Sequence, residues 1–220
     1  MNCNVSQQTK NTARVRGLFT AAFVLACAFG TANYAAAQVT PPSVPEKIAV
    51  PTGNHAYLVG HAGGSQGYTC LPTANGGTAW NPNARPEATL FADFFGREFQ
   101  IITHFQSVNE NPKPDVIPPK SGNATWQSSL DGSRVWAIKV NGIDPDPNVD
   151  SCRNVGSIQC LLLQSVGNKK GSTGGNLLAD TSFIQRLNTS GGVAPTTACT
   201  VGQTQLQHYT ADYYFFRADN

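Results

Sequence analysis

The chain has 220 residues, of which 15 are lysine or arginine and 13 are aspartate or glutamate, so its formal net charge is +2. The excess of positive charge lies in the first 37 residues, which carry three basic residues and no acidic one. Without that segment 12 basic and 13 acidic residues remain, and the net charge becomes −1. A chain with this balance lacks the basic surface that drives nucleic-acid binding, so we expect no nucleic-acid partner.

Residues 1–37 have the organisation of a secretory signal peptide. A short basic region precedes the apolar stretch GLFTAAFVLACAFGTA, and three alanines stand directly before Gln38. We predict cleavage after Ala37 and location of the mature protein outside the cell or in the periplasm. A lipid anchor on Cys27 is a second alternative, because the sequence VLAC loosely resembles a lipoprotein-processing site. No second apolar segment of membrane-spanning length follows, so we do not expect an integral membrane protein.

The exported part begins with a proline-rich arm over residues 38–54, which we expect to lie extended over a single domain formed by residues 55–220. In that domain apolar and polar residues alternate with a period of two, which is typical of β-strands. The alternation is clearest at 99–105, 135–140 and 208–216.

The stretch ARPEATLFADFFG, which starts at Ala84, fits a short helix or a strand equally well. Otherwise the chain has almost no helical pattern, and Gly-Gly, Asp-Gly and proline-rich turns separate the strand-like stretches. The longest such insert is NENPKPDVIPPKSGN at 109–123. We therefore predict an all-β fold, an antiparallel β-sandwich or a barrel-like sheet with long Pro/Gly-rich loops.

Four cysteines remain in the exported part: Cys70, Cys152, Cys160 and Cys199. An even number in an oxidising compartment predicts two disulfides, and four cysteines allow three pairings. Cys152 and Cys160 flank a short loop, while Cys70 and Cys199 each end a strand-like stretch, so we favour these two pairs. None of the four has a cysteine or histidine neighbour at zinc-binding spacing, so we expect no metal site.

A stretch dense in polar residues is FIQRLNTSGGVAPTTAC, residues 183–199. In a strand, Gln185 and Arg186 face opposite sides, so one of them points inward. Asn188 and Thr189 favour local hydrogen bonds from side chain to backbone, and the Gly-Gly pair that follows favours positive φ.

Two roles are open for Arg186. It could pin a neighbouring loop, or it could line a polar pocket with His104, Trp126 and Asp131. A tryptophan platform beside polar groups suits a sugar or a small acidic ligand. We take Arg186, Trp126, Gln185 and Asn188 as the candidate ligand-binding residues.

A hydrolase is the alternative function. His104, Asp131 and Ser133 could supply its base, orienting acid and nucleophile. However, Asp-Gly-Ser is typical of a tight turn, and the chain has no Gly-x-Ser-x-Gly motif. A Gly-x-Gly-x-x-Gly turn between a strand and a helix is absent too, so we expect no nucleotide or other cofactor. We favour a non-catalytic ligand-binding or envelope-associated module.

Several stretches resemble a known family: GYTC at Gly67, RPEATLF at Arg85, IQRLNTSGGVAP at Ile184 and YTADYYFF at Tyr209. From about Val44 to Phe216 the chain is similar to the domain of unknown function 3455 family of secreted bacterial and fungal proteins. The resemblance implies an extracytoplasmic, mostly β domain and brings no established activity. The chain departs from the family pattern twice, because the proline-rich insert replaces a usual Gly-Pro and Cys160 stands where tryptophan is common.

Overall fold

The structure is a computed structural model, and it describes residues 39–107 and 122–219. The predicted signal peptide, its cleavage site, Cys27 and most of the insert at 109–123 lie outside the described residues.

The described residues form nine β-strands and no α-helix, and every strand pair is antiparallel. The strands are β1 (Asn54–Pro72), β2 (Thr78–Trp80), β3 (Arg85–Phe94), β4 (Arg97–Ser107), β5 (Asn123–Ser128), β6 (Arg134–Ile143), β7 (Cys160–Lys169), β8 (Phe183–Gly191) and β9 (Thr204–Ala218). The all-β prediction is thereby confirmed. The stretch that fitted helix or strand is β3, which buries the alternate residues Pro86, Ala88 and Leu90.

The sheet closes on itself. Each strand from β3 to β9 pairs with its neighbour in sequence, and β1 pairs with β3 on one side and β9 on the other. Residues 61–67 of β1 pair with both partners at once. Of the two architectures predicted, the structure therefore has the barrel-like one, and the short β2 pairs only with the end of β1. The glycines of β1 permit the strong coiling that such closure requires.

Alternate residues of the strands fill much of the barrel with one apolar core, as period-two alternation predicts. Leu90, Ile102, Val135, Ile184 and Phe215 are fully buried in it. Leu178, from the connection between β7 and β8, also packs into this core.

The two ends of the barrel differ. The first end, called here the disulfide end, contains the end of β1, the start of β3 and the β6–β7 and β8–β9 connections. Cys70 pairs with Cys199 and Cys152 with Cys160, both at this end and both as predicted. At the opposite end, called here the turn end, short turns join β3 to β4 and β5 to β6.

The described segment before β1 contains one 3-10 turn, at Glu46–Ile48. Ile48 is fully buried against Leu162 and Leu187, on the outer faces of β7 and β8. The side-chain amide of Gln185 donates a hydrogen bond of 2.7 Å to the Ile48 carbonyl oxygen. This segment therefore covers apolar residues on the outside of the barrel.

Candidate functional site

A cavity of about 1080 Å³ lies at the disulfide end of the barrel. Eight strands enclose an interior that side chains can fill or that can hold one small ligand. Here the core fills the part near the turn end. The cavity wall includes His104, Gln106, Trp126, Arg186 and Tyr213.

His104 and Trp126 form a buried, aromatic part of this wall. They are direct cross-strand partners on β4 and β5. Their rings are stacked with centroids 4.1 Å apart and an interplanar angle of 8°, and the residues are 3% and 1% exposed. The Tyr213 ring completes the group, 5.4 Å from His104 and 5.7 Å from Trp126 between centroids.

Two buried polar atoms of the wall lack a hydrogen-bond partner among the described residues. They are the indole nitrogen Nε1 of Trp126 and the side-chain oxygen Oε1 of Gln106. Most buried polar atoms in proteins are paired, so each such atom calls for an explanation. Both belong to residues that line the cavity.

His104 is held as a neutral ring. Its Nδ1–H donates to the Thr125 carbonyl oxygen over 2.9 Å. Burial lowers its pKa from 6.5 to about 3, while this hydrogen bond opposes the shift and the charge of Arg186 adds to it. Because Nδ1 carries the proton, Nε2 carries a lone pair and can only accept.

Arg186 has both of the placements considered from the sequence. Its Nε–H and Nη2–H donate to the Gln159 carbonyl oxygen over 3.1 and 2.8 Å, which ties β8 to the end of the β6–β7 connection. The side chain also lines the cavity, and on β9 its cross-strand partner is Tyr213. Nη1 makes no hydrogen bond to any other described residue.

The charged residues of the wall are three cations, Arg85, Lys139 and Arg186, and one carboxylate, Asp144. The Gln159 side chain joins two of them, since its oxygen accepts from Lys139 Nζ and its nitrogen donates to Asp144. The excess of positive charge favours an anion in the cavity.

Two of the predicted ligand-binding residues do not line the cavity. Gln185 faces the outside of the barrel and bonds to Ile48. Asn188 is exposed, has a positive φ of 51°, and donates to Asp212. The prediction of local hydrogen bonds for Asn188 and Thr189 is wrong. Asn188 bonds to β9, and Thr189 donates to the Ile158 carbonyl oxygen.

Asp131 and Ser133 lie in the β5–β6 turn, at the turn end. One Asp131 oxygen accepts from the Ser133 hydroxyl and backbone N–H, and the other accepts from the Leu177 backbone N–H. Partial burial acts to raise the Asp131 pKa, but these hydrogen bonds outweigh it and hold the pKa at about 2. Asp131 thus fixes two connections and does not join His104 in a catalytic group or in the cavity wall.

Sequence reasoning missed three residues of the site. Tyr213 and Gln106 had a usable signal, because the period of two puts Tyr213 on the inner face of β9 and Gln106 on the same face as His104. Gln159 had none, because it acts on Arg186 through a loop carbonyl whose position depends on the folded β6–β7 connection.

The profile of a family described as "Protein of unknown function (DUF3455)" matches residues 51–217, which contain the cavity wall and both disulfides. The chain belongs to the DUF3455 family. Neither the curated proteins nor the solved structures give a match to it.

The disulfides of this DUF3455 domain bear on its compartment. Two disulfides are consistent with an oxidising, extracytoplasmic environment. Among residues 39–107 and 122–219, no helix is long and apolar enough to cross a membrane.

Proposed function

We propose that this protein is a secreted or periplasmic binding module that holds a small, polar, anionic ligand in the cavity at the disulfide end. The observation that carries the proposal is the indole N–H of Trp126, which has no hydrogen-bond partner among the described residues and belongs to a side chain that is 1% exposed and lines that cavity. Leaving a buried polar group without a partner costs about 1–3 kcal/mol. A ligand that accepts a hydrogen bond from this N–H would remove that cost.

The charges of the wall support an anionic ligand, because the wall carries three cations and one carboxylate. Cavities of this kind bind through an apolar, aromatic wall and a few polar groups that fix orientation. The stacked pair of His104 and Trp126 with Tyr213 supplies such a wall.

Binding is favoured over hydrolysis by the positions of the candidate catalytic residues. His104 lies inside the barrel, whereas Asp131 and Ser133 bond to each other in a turn at the opposite end. A histidine whose pKa is about 3 is also a weak base, far from the value near the working pH that general base catalysis favours.

The test is a thermal-shift screen of the exported protein against sugars and organic acids, followed by titration calorimetry of each compound that raises Tm. Every compound is then measured on Trp126→Phe and Trp136→Phe. Trp136 is the matched control, because it is also buried, its Nε1 also lacks a partner within residues 39–107 and 122–219, and it does not line the cavity.

We expect Trp126→Phe to raise Kd at least about threefold, the value of one ordinary hydrogen bond, and Trp136→Phe to leave Kd unchanged. Equal effects of the two substitutions on Kd would place the ligand elsewhere. A screen in which no compound raises Tm would contradict the proposal.

A further inference from the structure

We infer that the ligand is a hydroxy acid of sugar-acid size, whose carboxylate is bound by Arg186 and whose hydroxyl group is bound by His104. This inference rests on the proposed function. It adds the chemical class of the ligand and the residue that binds each of its groups.

The carboxylate is assigned to Arg186 because of the edge that this side chain leaves open. A guanidinium has five N–H groups, arranged in edges that match the two oxygens of a carboxylate. One edge of Arg186, Nε and Nη2, is fixed on the Gln159 carbonyl oxygen. The other edge, Nη1 and Nη2, makes no further hydrogen bond to the described residues. Because Gln159 already orients the guanidinium, a carboxylate would bind it at a low cost in side-chain entropy.

The hydroxyl is assigned to His104 because of the proton on its ring. A carbonyl oxygen can only accept, so the bond to Thr125 places the proton on Nδ1 and leaves Nε2 as an acceptor. The neutral ring does not attract a carboxylate, but it accepts a hydrogen bond from a ligand O–H or N–H. Trp126, on the adjacent parallel ring, offers only a donor.

A hydroxyl group suits this pair better than an amine does. It donates to an acceptor and accepts from a donor, so it can serve His104 and Trp126 alike. A protonated amine cannot accept and would be repelled by the three cations of the wall, Arg85, Lys139 and Arg186.

The spacing of the two sites sets the size of the ligand. Arg186 is the cross-strand partner of Tyr213, and the Tyr213 ring is 5.4 Å from the His104 ring between centroids. Arg186 and His104 are therefore both neighbours of Tyr213, the first across the β8–β9 pair and the second through its ring. A ligand that reaches both needs several carbon atoms between its carboxylate and its far hydroxyl groups, as a six-carbon sugar acid has.

The test compares three six-carbon probes on the exported protein by titration calorimetry. Gluconate carries a carboxylate and hydroxyl groups, sorbitol carries hydroxyl groups alone, and hexanoate carries a carboxylate alone. We expect gluconate to bind at least tenfold more tightly than either of the others.

Two variants test which residue binds the carboxylate and which binds the hydroxyl group. Arg186→Lys keeps the positive charge but loses the two-donor edge, and it should reduce the preference for gluconate over sorbitol at least threefold. His104→Asn has an amide that can still donate to Thr125 but has no Nε2, and it should reduce the preference for gluconate over hexanoate at least threefold. These readouts are ratios between ligands of one variant, so a general loss of stability does not produce them.

The outcomes separate this inference from the proposed function. If hexanoate binds as tightly as gluconate, hydroxyl recognition is wrong, and if sorbitol does, carboxylate recognition is wrong. If none of the three binds but another compound of the screen gives a Trp126-dependent Kd, the ligand class is wrong and the proposed function stands. If the screen also yields nothing, both are wrong.

Discussion

Protonation of His104 should be measurable as a loss of stability at mildly acidic pH. Burial holds its pKa at about 3 in the folded protein, against 6.5 for an exposed histidine. Above pH 6.5 the ring is neutral in both the folded and the unfolded protein, so His104 does not lower the free energy of unfolding there. As the pH falls below 6.5, the unfolded chain binds a proton that the folded chain does not, and the free energy of unfolding decreases until about pH 3.

The size of the loss follows from the two pKa values. Each pH unit between them costs 1.36 kcal/mol. A change from pH 7.5 to pH 4.5 spans two units below 6.5, so it should lower the free energy of unfolding by roughly 3 kcal/mol. Asp131 does not contribute over this interval, because its pKa of about 2 makes its effect appear only as the pH falls below 3.8.

The assay is urea unfolding at pH 7.5 and pH 4.5, followed by tryptophan fluorescence, for the wild type and for His104→Asn. The variant keeps a donor for the Thr125 carbonyl oxygen but has no titrating ring. The exposed pairs His55–Asp219 and His61–Asp212 are present in both proteins, so their effect cancels in the comparison. We expect the wild type to lose about 2–3 kcal/mol more than the variant does. Equal losses would refute the reasoning, since they would mean that the folded protein protonates His104 as readily as the unfolded chain does.

Two further substitutions test the backbone. Phe95 has a φ of 55° in the β3–β4 turn, and its side chain is fully exposed. Because asparagine tolerates this conformation better, Phe95→Asn should raise the free energy of unfolding by about 0.5–1 kcal/mol in a urea titration. A decrease would mean that the phenyl ring makes stabilising contacts. A Cβ on Gly64 would lie 2.2 Å from a backbone carbonyl oxygen of β3, whereas one on Gly63 would meet nothing within 4 Å. Gly64→Ala should therefore cost about 1–3 kcal/mol and Gly63→Ala less than about 0.5 kcal/mol; similar costs for the two would contradict the close approach of β1 and β3.

Features that depend on neighbours in sequence were predictable. The period of two identified strands because side chains alternate between the faces of a strand whatever that strand pairs with. The short Cys152–Cys160 loop allowed one pair to be chosen, and that choice left Cys70 with Cys199. Gly191 and Gly192 have the expected positive φ, which the absence of a Cβ permits.

Features that depend on distant parts of the chain were not predictable from the sequence. Asn188 and Thr189 were expected to bond locally, but in the folded barrel β9 and the β6–β7 connection offer them closer partners. Asp131 was grouped with His104 because they are near in sequence, yet β5 separates them along the barrel. A strand spans about 3.3 Å per residue, so a few residues carry the chain from one end of the site to the other.

Sequence patterns alone predict that this protein is built from antiparallel strands, that two disulfides link its loops, and that Arg186 has a structural or a ligand-binding role. Three features appear only in the folded barrel: β1 closes the sheet against β9, His104 stacks on Trp126, and Gln159 orients Arg186. The physical reason is the separation along the chain over which each interaction acts. Alternation and turn chemistry act between adjacent residues, whereas closure joins the two ends of the described chain. Only closure creates an interior in which a buried histidine, a buried indole and an arginine meet.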